Sequence, residues 1–277
     1  MTLRNAIAFY AIGFLRGQLL VRVCALTFML LALCLDVVAM AGDVSTVAPV
    51  VGVRVVARLP HDEQAFTQGL FFSDGRLYET TGRRGASNLR ELNPDTGRVV
   101  RSVALAPRYF GEGATAVDGR AVWLTWTSGR AFSFDLGDLS PGPKYQYHGQ
   151  GWGLAWDGAR LVMSNGTPEL VFRDPQSFEP VSRLVVHDGA QPVHRLNELE
   201  WVDGELWANV WLTARVAVID PVTGRVRRWI DLSPLVPTGE NPNSVANGIA
   251  WDSATGRLLV TGKLWPVIYV IEPLHEP

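Results

Sequence analysis

Three stretches of the chain read alike: Gln68-Gly-Leu-Phe-Phe-Ser-Asp-Gly75, Glu112-Gly-Ala-Thr-Ala-Val-Asp-Gly119 and Asn197-Glu-Leu-Glu-Trp-Val-Asp-Gly204. Trp152-Gly-Leu-Ala-Trp-Asp-Gly158 follows the pattern with one residue fewer, and Asn247-Gly-Ile-Ala-Trp-Asp252 completes the series. Their first residues lie 44, 40, 45 and 50 positions apart. Repeats of about 40–50 residues are the signature of propeller blades.

Turn chemistry gives the number of strands. Asp-Gly at 74–75, 118–119, 157–158 and 203–204 separates two short apolar runs in each repeat, a hairpin signal. A second turn follows in Asn93-Pro-Asp-Thr-Gly-Arg98 and Asp220-Pro-Val-Thr-Gly-Arg225, where Asn or Asp, then Pro, then a later Gly suit a type I turn closed by a left-handed residue. Asp174-Pro175 marks that turn in the third repeat, and Asp252-Ser-Ala-Thr-Gly-Arg257 replaces the Asp-Gly turn in the last. Two hairpins per repeat make four strands, and five such repeats make an all-β, five-bladed β-propeller. The chain stops soon after Val267-Ile-Tyr-Val-Ile271, so the last blade lacks a fourth strand. Val51-Gly-Val-Arg-Val-Val-Ala-Arg-Leu59 resembles the strand preceding the second repeat, Gly97–Leu105, and is expected to supply it, closing the ring and removing an exposed edge.

Working outward from the repeats, the first forty residues stand apart. Arg4, Arg16 and Arg22 precede thirteen uncharged residues, Val23–Leu35, and then Ala39-Met40-Ala41. A basic flank, a short apolar run and small residues spaced as a cleavage site describe a secretory signal peptide over residues 1–41. The domain is then 42–277, a single propeller. An uncleaved anchor reaching back through Ile7–Leu15 is the alternative, although the run is short of the roughly 20 apolar residues a span needs. Cleavage would remove both cysteines, Cys24 and Cys34, leaving no disulfide; it would also remove three arginines and one aspartate, so the net charge of −2 becomes −4. All ten tryptophans stay. A mildly acidic chain has no footprint for nucleic acid. An exported protein, periplasmic or secreted, without membrane attachment after cleavage, and monomeric, is expected.

In a propeller the innermost strands line the axis, so the repeat-opening residues Gln68, Glu112, Trp152, Asn197 and Asn247 should converge. Trp126 lies 14 residues beyond Glu112, Trp211 lies 14 beyond Asn197, and Lys263 lies 16 beyond Asn247. A second strand returning to the same end places these on the same mouth. The expectation is an aromatic cup with one carboxylate, one amine and several amides, the composition of a small-ligand site. Blander readings stand beside it. Buried tryptophans are mostly core, amides can serve inter-blade backbone, and a lysine near a chain end is ordinarily solvated. Trp123, Trp156, Trp201, Trp207, Trp229 and Trp251 read as blade packing, while Trp265 has no assigned place. Glu198 and Glu200 alternate with apolar residues and suggest a structural ion pair. The five histidines show no metal-ligand spacing, and neither a P-loop nor a Gly-x-Ser-x-Gly elbow is present.

The same strings resemble one family, the plant and bacterial glutamine cyclotransferases. They are Phe66-Thr-Gln-Gly-Leu70, Leu77-Tyr-Glu-Thr-Thr-Gly82, Phe110-Gly-Glu-Gly113, Leu124-Thr-Trp126 and Gly151-Trp-Gly-Leu154. Leu196-Asn-Glu-Leu-Glu200, Ala208-Asn-Val-Trp211, Asn247-Gly-Ile-Ala250 and Thr261-Gly-Lys-Leu-Trp-Pro266 complete the series. The resemblance implies a five-bladed propeller that converts N-terminal glutaminyl residues of peptides and proteins to pyroglutamyl, releasing ammonia, with no metal and no cofactor. It also implies roles. Glu112 corresponds to the general acid/base, and Lys263 and Asn197 are the candidates to stabilise the oxyanion. Phe66, Gln68, Trp126, Trp152 and Trp211 correspond to the substrate pocket. Thr80 and Thr81 stand where the family commonly has Ser. The alternatives are a non-catalytic propeller that binds peptide N-termini and a metal-dependent lactonase propeller. The latter needs inward carboxylates around a cation, for which only Glu198 and Glu200 offer a hint.

Overall fold

The computed structural model describes residues 47–239 and 241–274; the predicted leader, residues 1–41, lies outside them. A two-residue strand β1 (Val50–Val51) and a longer β2 (Val53–Pro60) precede the repeats. Blade one is β3 (Thr67–Ser73), β4 (Arg76–Thr81), β5 (Asn88–Leu92) and β6 (Val99–Ala104). Blade two is β7 (Gly111–Val117), β8 (Arg120–Thr125), β9 (Arg130–Asp135) and β10 (Pro141–Gln146). Blade three is β11 (Leu154–Trp156), β12 (Leu161–Met163), β13 (Glu169–Arg173) and β14 (Pro180–Val185). A small hairpin, β15 (His187–Asp188) and β16 (Gln191–Pro192), leads to blade four. That blade is β17 (Leu196–Val202), β18 (Glu205–Val210), β19 (Arg215–Ile219) and β20 (Val226–Asp231). A single 3-10 turn, Ser233–Leu235, precedes β21 (Ala246–Asp252), β22 (Arg257–Gly262) and β23 (Val267–Pro273) of blade five.

Blade five takes its fourth strand from the other end of the chain: β2 pairs antiparallel with β23, from Val53 opposite Pro273 to Pro60 opposite Val267. The closing strand is therefore where the repeat pattern puts it. One pairing had no sequence signal: β1 adds to blade four in parallel with β20, Val50 beside Trp229 and Val51 beside Ile230. Asp188 of the small hairpin holds it there, its carboxylate accepting from Ala48 N at 2.7 Å and from Trp229 Nε1 at 2.8 Å.

The turns follow their residues. Asp74/Gly75, Asp118/Gly119 and Asp203/Gly204 all have positive φ at both positions, the mirror-image turn that matches strand twist. Gly97, Gly224 and Gly256 supply the left-handed residue closing the second kind of turn, with φ of 67°, 77° and 71°.

Alternation along the second strand of each blade feeds two cores at once, because side chains of successive residues point to opposite faces. In β8, Ala121 and Trp123 pack toward blade one while Val122 and Leu124 pack toward blade three. In β18, Leu206 and Ala208 face blade three and Trp207 faces blade five. The hydrophobic core is thus divided into five clusters, one between each pair of neighbouring blades. Both faces of the inner strands are covered, which is why these read as near-continuous apolar runs, while the outermost strands β6, β10 and β14 are largely exposed.

Candidate active site

Five inner strands around one axis leave little room, and the glycine after most repeat-opening residues shows how little. A Cβ on Gly113 would sit 2.7 Å from Trp152 O, and one on Gly153 would sit 2.0 Å from Asn197 O. Gly113 N donates to Trp152 O at 2.7 Å, a direct backbone bond between blades two and three. The same crowding breaks the strand register. Bulges bracket Gln68, Glu112, Asn197 and Asn247 in β3, β7, β17 and β21. A bulge re-aims a side chain. Here it turns Gln68, Glu112 and Asn197 out of the blade and into a cavity at one end of the axis.

That cavity has a volume of about 270 Å³. Phe66, Gln68, Glu112, Trp126, Trp152, Asn197, Trp211 and Lys263 all line it, so the eight residues singled out from the sequence are brought together. Trp126 and Trp211 are 37% and 36% exposed, unusual for indoles and expected where a ligand is to cover them. The aromatic rings form a connected arc. Phe66 meets Phe110 edge-on at 6.2 Å, Phe110 meets Trp126 at 5.7 Å, and Trp152 meets Trp211 edge-on at 5.5 Å. Gln150 joins the two halves, its Oε1 accepting from Trp126 Nε1 at 2.7 Å and from Trp152 Nε1 at 2.8 Å.

The polar groups lie below this arc. Glu112 and Lys263 are the two ionisable residues on the cavity wall. Burial pushes the Glu112 carboxyl up to about 8, and the positive charge of Lys263 offsets part of that rise. Burial likewise lowers the Lys263 ammonium, which the Glu112 charge supports. The lysine is therefore not solvated: it is 5% exposed, with Nζ 4.8 Å from the centre of the Phe66 ring. Gln68 is oriented from behind by Asn247, whose Nδ2 donates to Thr67 O at 2.9 Å and to Gln68 Oε1 at 3.3 Å. Asn247 itself is fully buried and does not reach the cavity, a correction to the expectation that all five repeat-opening residues would line it.

A second correction concerns Glu198 and Glu200, which form no ion pair among the described residues. Glu198 occupies the place where the other repeats have glycine, and its Oε1 accepts from Leu70 N across the axis at 3.3 Å. Glu200 Oε1 accepts from Trp251 N at 3.1 Å. Burial holds both carboxyls well above their usual range, and the Glu200 charge adds to the rise at Glu198. They act as hydrogen-bonding plugs between inner strands. Among the described residues no three His, Cys, Asp or Glu side chains gather as a metal-ligand set.

Trp265 also finds its place. It is fully buried between blades four and five, and its carbonyl accepts from His61 Nδ1 at 2.7 Å. His61 Nε2 lies 2.9 Å from Glu79 Oε1, so the ring bridges the two elements, and its charged form uses both N–H groups. Burial opposes that charge, but the hydrogen bond and charge of Glu79 outweigh it and raise the His61 pKa. Leu264 N donates to Ala65 O at 2.7 Å, so the segment carrying Lys263 is tied to the segment carrying Phe66.

Phe110, Leu212, Pro242, Asn243 and Val245 also line the cavity. Phe110 and Val245 each stand two residues before a repeat-opening residue, as Phe66 does, and Gln150 holds that position in the third repeat. That shared offset was the signal that could have found them.

With this geometry in view, comparison with known proteins is specific. The glutamine cyclotransferase family model matches residues 29–272. This chain belongs to the glutamine cyclotransferase family. A protein of Arabidopsis thaliana named glutaminyl-peptide cyclotransferase is 41% identical over 226 residues, which are 79% of this chain and 71% of the relative. The crystal structure of Myxococcus xanthus glutaminyl cyclase superposes with a TM-score of 0.76 at 35% identity, covering 82% of this chain and 98% of that one. The five-bladed architecture is thus shared with a solved glutaminyl cyclase.

Proposed function

We propose that the chain is a glutaminyl-peptide cyclotransferase in which Glu112 carries the proton. It acts on peptides or proteins with N-terminal Gln. The observation that carries the residue assignment is a lone buried carboxyl, its pKa raised to about 8, in an aromatic cavity of about 270 Å³.

The reaction is intramolecular. The substrate α-amine nitrogen bonds to the carbon of its own γ-carboxamide, the C–NH₂ bond breaks, and ammonia leaves with a five-membered lactam behind. Holding the folded-back conformer is accordingly much of the catalysis, and the walls of Trp126, Trp152, Trp211 and Phe66 do this while excluding water. Glu112 accepts a proton from the attacking amine and returns one to the departing nitrogen, so the carboxyl is unchanged after a turnover. A pKa near that of the amine suits a group that must both take and give. Charge that develops on the carboxamide oxygen is met by Lys263 and Asn197, and Gln68, set by Asn247, aligns the amide. No step requires a metal or cofactor.

Release of ammonia from Gln-Ala, with Asn-Ala as control, tests the function. A folded protein releasing none from Gln-Ala would instead be a binder of peptide N-termini. The sequence of residues 1–41 supports export by a cleaved signal, to a periplasmic or secreted location, and N-terminal sequencing of the exported protein tests that. The mature protein acts as a monomer in this proposal, which light scattering tests.

A further inference from the structure

The cavity of about 270 Å³ is far smaller than a peptide or protein, so most of a substrate must leave across the rim. On the blade-one and blade-two side, three exposed arginines stand together: Arg83 and Arg84 in the loop after β4, and Arg108 in the loop before β7. None of them is ion-paired among the described residues. Several arginines elsewhere on the blades find acids, Arg227 with Asp220 and Arg90 with Asp62 among them, while others, such as exposed Arg195 and Arg215, have no ion pair among the described residues but stand singly. In the neighbouring loop Asp62 is occupied by Arg90.

These arginines are ordered by aromatic and backbone contacts instead. The Arg83 guanidinium lies 4.6 Å from the centre of the Phe66 ring, the same ring that Lys263 contacts from within the cavity. Arg108 lies 4.6 Å from the Tyr109 ring, and Arg84 Nε donates to Arg108 O at 3.3 Å. The loop is fastened to the site. Arg83 O accepts from Ser87 Oγ at 2.8 Å, and that oxygen accepts from Gly111 N at 2.9 Å, one residue before Glu112. Arg83 also has φ of 78°, a conformation glycine would adopt without strain. A long cationic side chain is kept at a backbone position that disfavours it, fixed against a pocket wall, with no acid of its own.

We propose that Arg83, backed by Arg84 and Arg108, is a subsite for a substrate carboxylate, so that this enzyme prefers peptides with Glu or Asp at the second or third residue after an N-terminal Gln. The placement fits the reach of the chain. An extended peptide advances about 3.3–3.6 Å per residue, so a chain leaving the cavity over Phe66 meets the guanidinium stacked on that ring within its second or third residue. The proposal rests on the cyclase reading and adds to it a substrate class.

The test uses the full protein and three C-terminally amidated peptides, Gln-Glu-Ala, Gln-Ala-Ala and Gln-Lys-Ala, so that no terminal carboxylate substitutes for the side chain. The expected order of kcat/KM is Glu, then Ala, then Lys. At low salt the spread between Glu and Lys should be about tenfold, from an exposed ion pair gained in one and a like-charge contact suffered in the other, and it should shrink as salt rises. R83Q should reduce the Glu-to-Lys ratio, and the R83Q/R84Q/R108Q triple variant should bring it to about one. Each ratio is internal to one enzyme preparation, so a change in overall activity does not enter it. Equal rates on all three peptides in the wild type, a ratio insensitive to salt, or a ratio preserved in the triple variant would overturn the subsite while leaving the cyclase intact. Ammonia release from none of the three would overturn the cyclase reading, and this proposal with it.

Discussion

Replacing Glu112 by Gln should stabilise the protein and disable it together. Burial raises this carboxyl from 4.5 to about 8, with Lys263 pulling the other way. Below 4.5 the group is protonated whether the chain is folded or not, and it has no effect on folding. Between 4.5 and about 8 the unfolded chain has released the proton and the folded chain retains it, so each pH unit costs folding about 1.4 kcal/mol. The cost is then about 3 kcal/mol at pH 7 and levels near 5 kcal/mol above the folded pKa. Gln has no proton to retain, so E112Q lacks this cost. Loss of the carboxylate also removes the charge that supports the buried Lys263, which offsets part of the gain and makes these figures upper limits. Urea unfolding of both proteins at pH 5 and pH 8 should show a difference that is small at the lower pH and clear at the higher. At 2–4 °C per kcal/mol for a domain this size, the melting point of E112Q near neutrality should rise by up to about 10 °C. Ammonia release should meanwhile fall about 10²–10⁴-fold. A stability difference that does not grow with pH would refute the dry, neutral carboxyl, and near wild-type turnover would remove Glu112 from the mechanism.

Other consequences are equally open to measurement. W211A removes one wall of the cup and the edge-on partner of Trp152, so KM for Gln-Ala should rise about tenfold with a smaller change in kcat, as steady-state kinetics would show. H61N takes from buried Glu79 its imidazole partner and leaves it Thr67 Oγ1 and, at 3.7 Å, Arg90; a loss of about 3 kcal/mol is expected in urea unfolding. Because the His61 pKa is raised, the wild-type pair persists as pH climbs past the ordinary histidine value and is lost only above the raised one, so the gap between wild type and H61N should narrow in alkaline buffer. G153A forces a Cβ to within 2.0 Å of Asn197 O and should cost about 3 kcal/mol or more. G75A, at φ of 73° in open space, should cost only about 1–2 kcal/mol, which thermal melts of the pair would separate.

The fold was legible because a propeller repeats its chemistry. Asp-Gly and Asx-Pro-x-x-Gly turns recur where the backbone needs left-handed residues, and both faces of each blade require apolar side chains. The site was legible for a related reason: equivalent positions on five blades meet at one end of the axis. What the sequence hid had no repeat to reveal it. The parallel pairing of Val50–Val51 with blade four is two residues long. Pro242 and Asn243 reach the cavity from the longest inter-repeat interval, where no other blade provides a template. Glu198 and Glu200 looked like charges in search of cations, yet the axis offers backbone N–H groups, which a neutral carboxyl can satisfy. Phe110 was passed over although its offset from Glu112 copies that of Phe66 from Gln68.

The ring is closed by β2, near the start of the described residues, and β23, the final strand, and His61 is the residue immediately after β2. Its bonds to Glu79 and to the Trp265 carbonyl bring blade one against the loop that carries Lys263. A ribosome must therefore deliver residues 267–273 before residues 53–60 have anything to pair with. Until then the lysine side of the cavity has no fixed position. Completion of the reaction centre in this way waits on a contact between the two ends of the propeller, a long-range pairing of the kind slow to form, and a partly made chain has strands and cores but no closed ring.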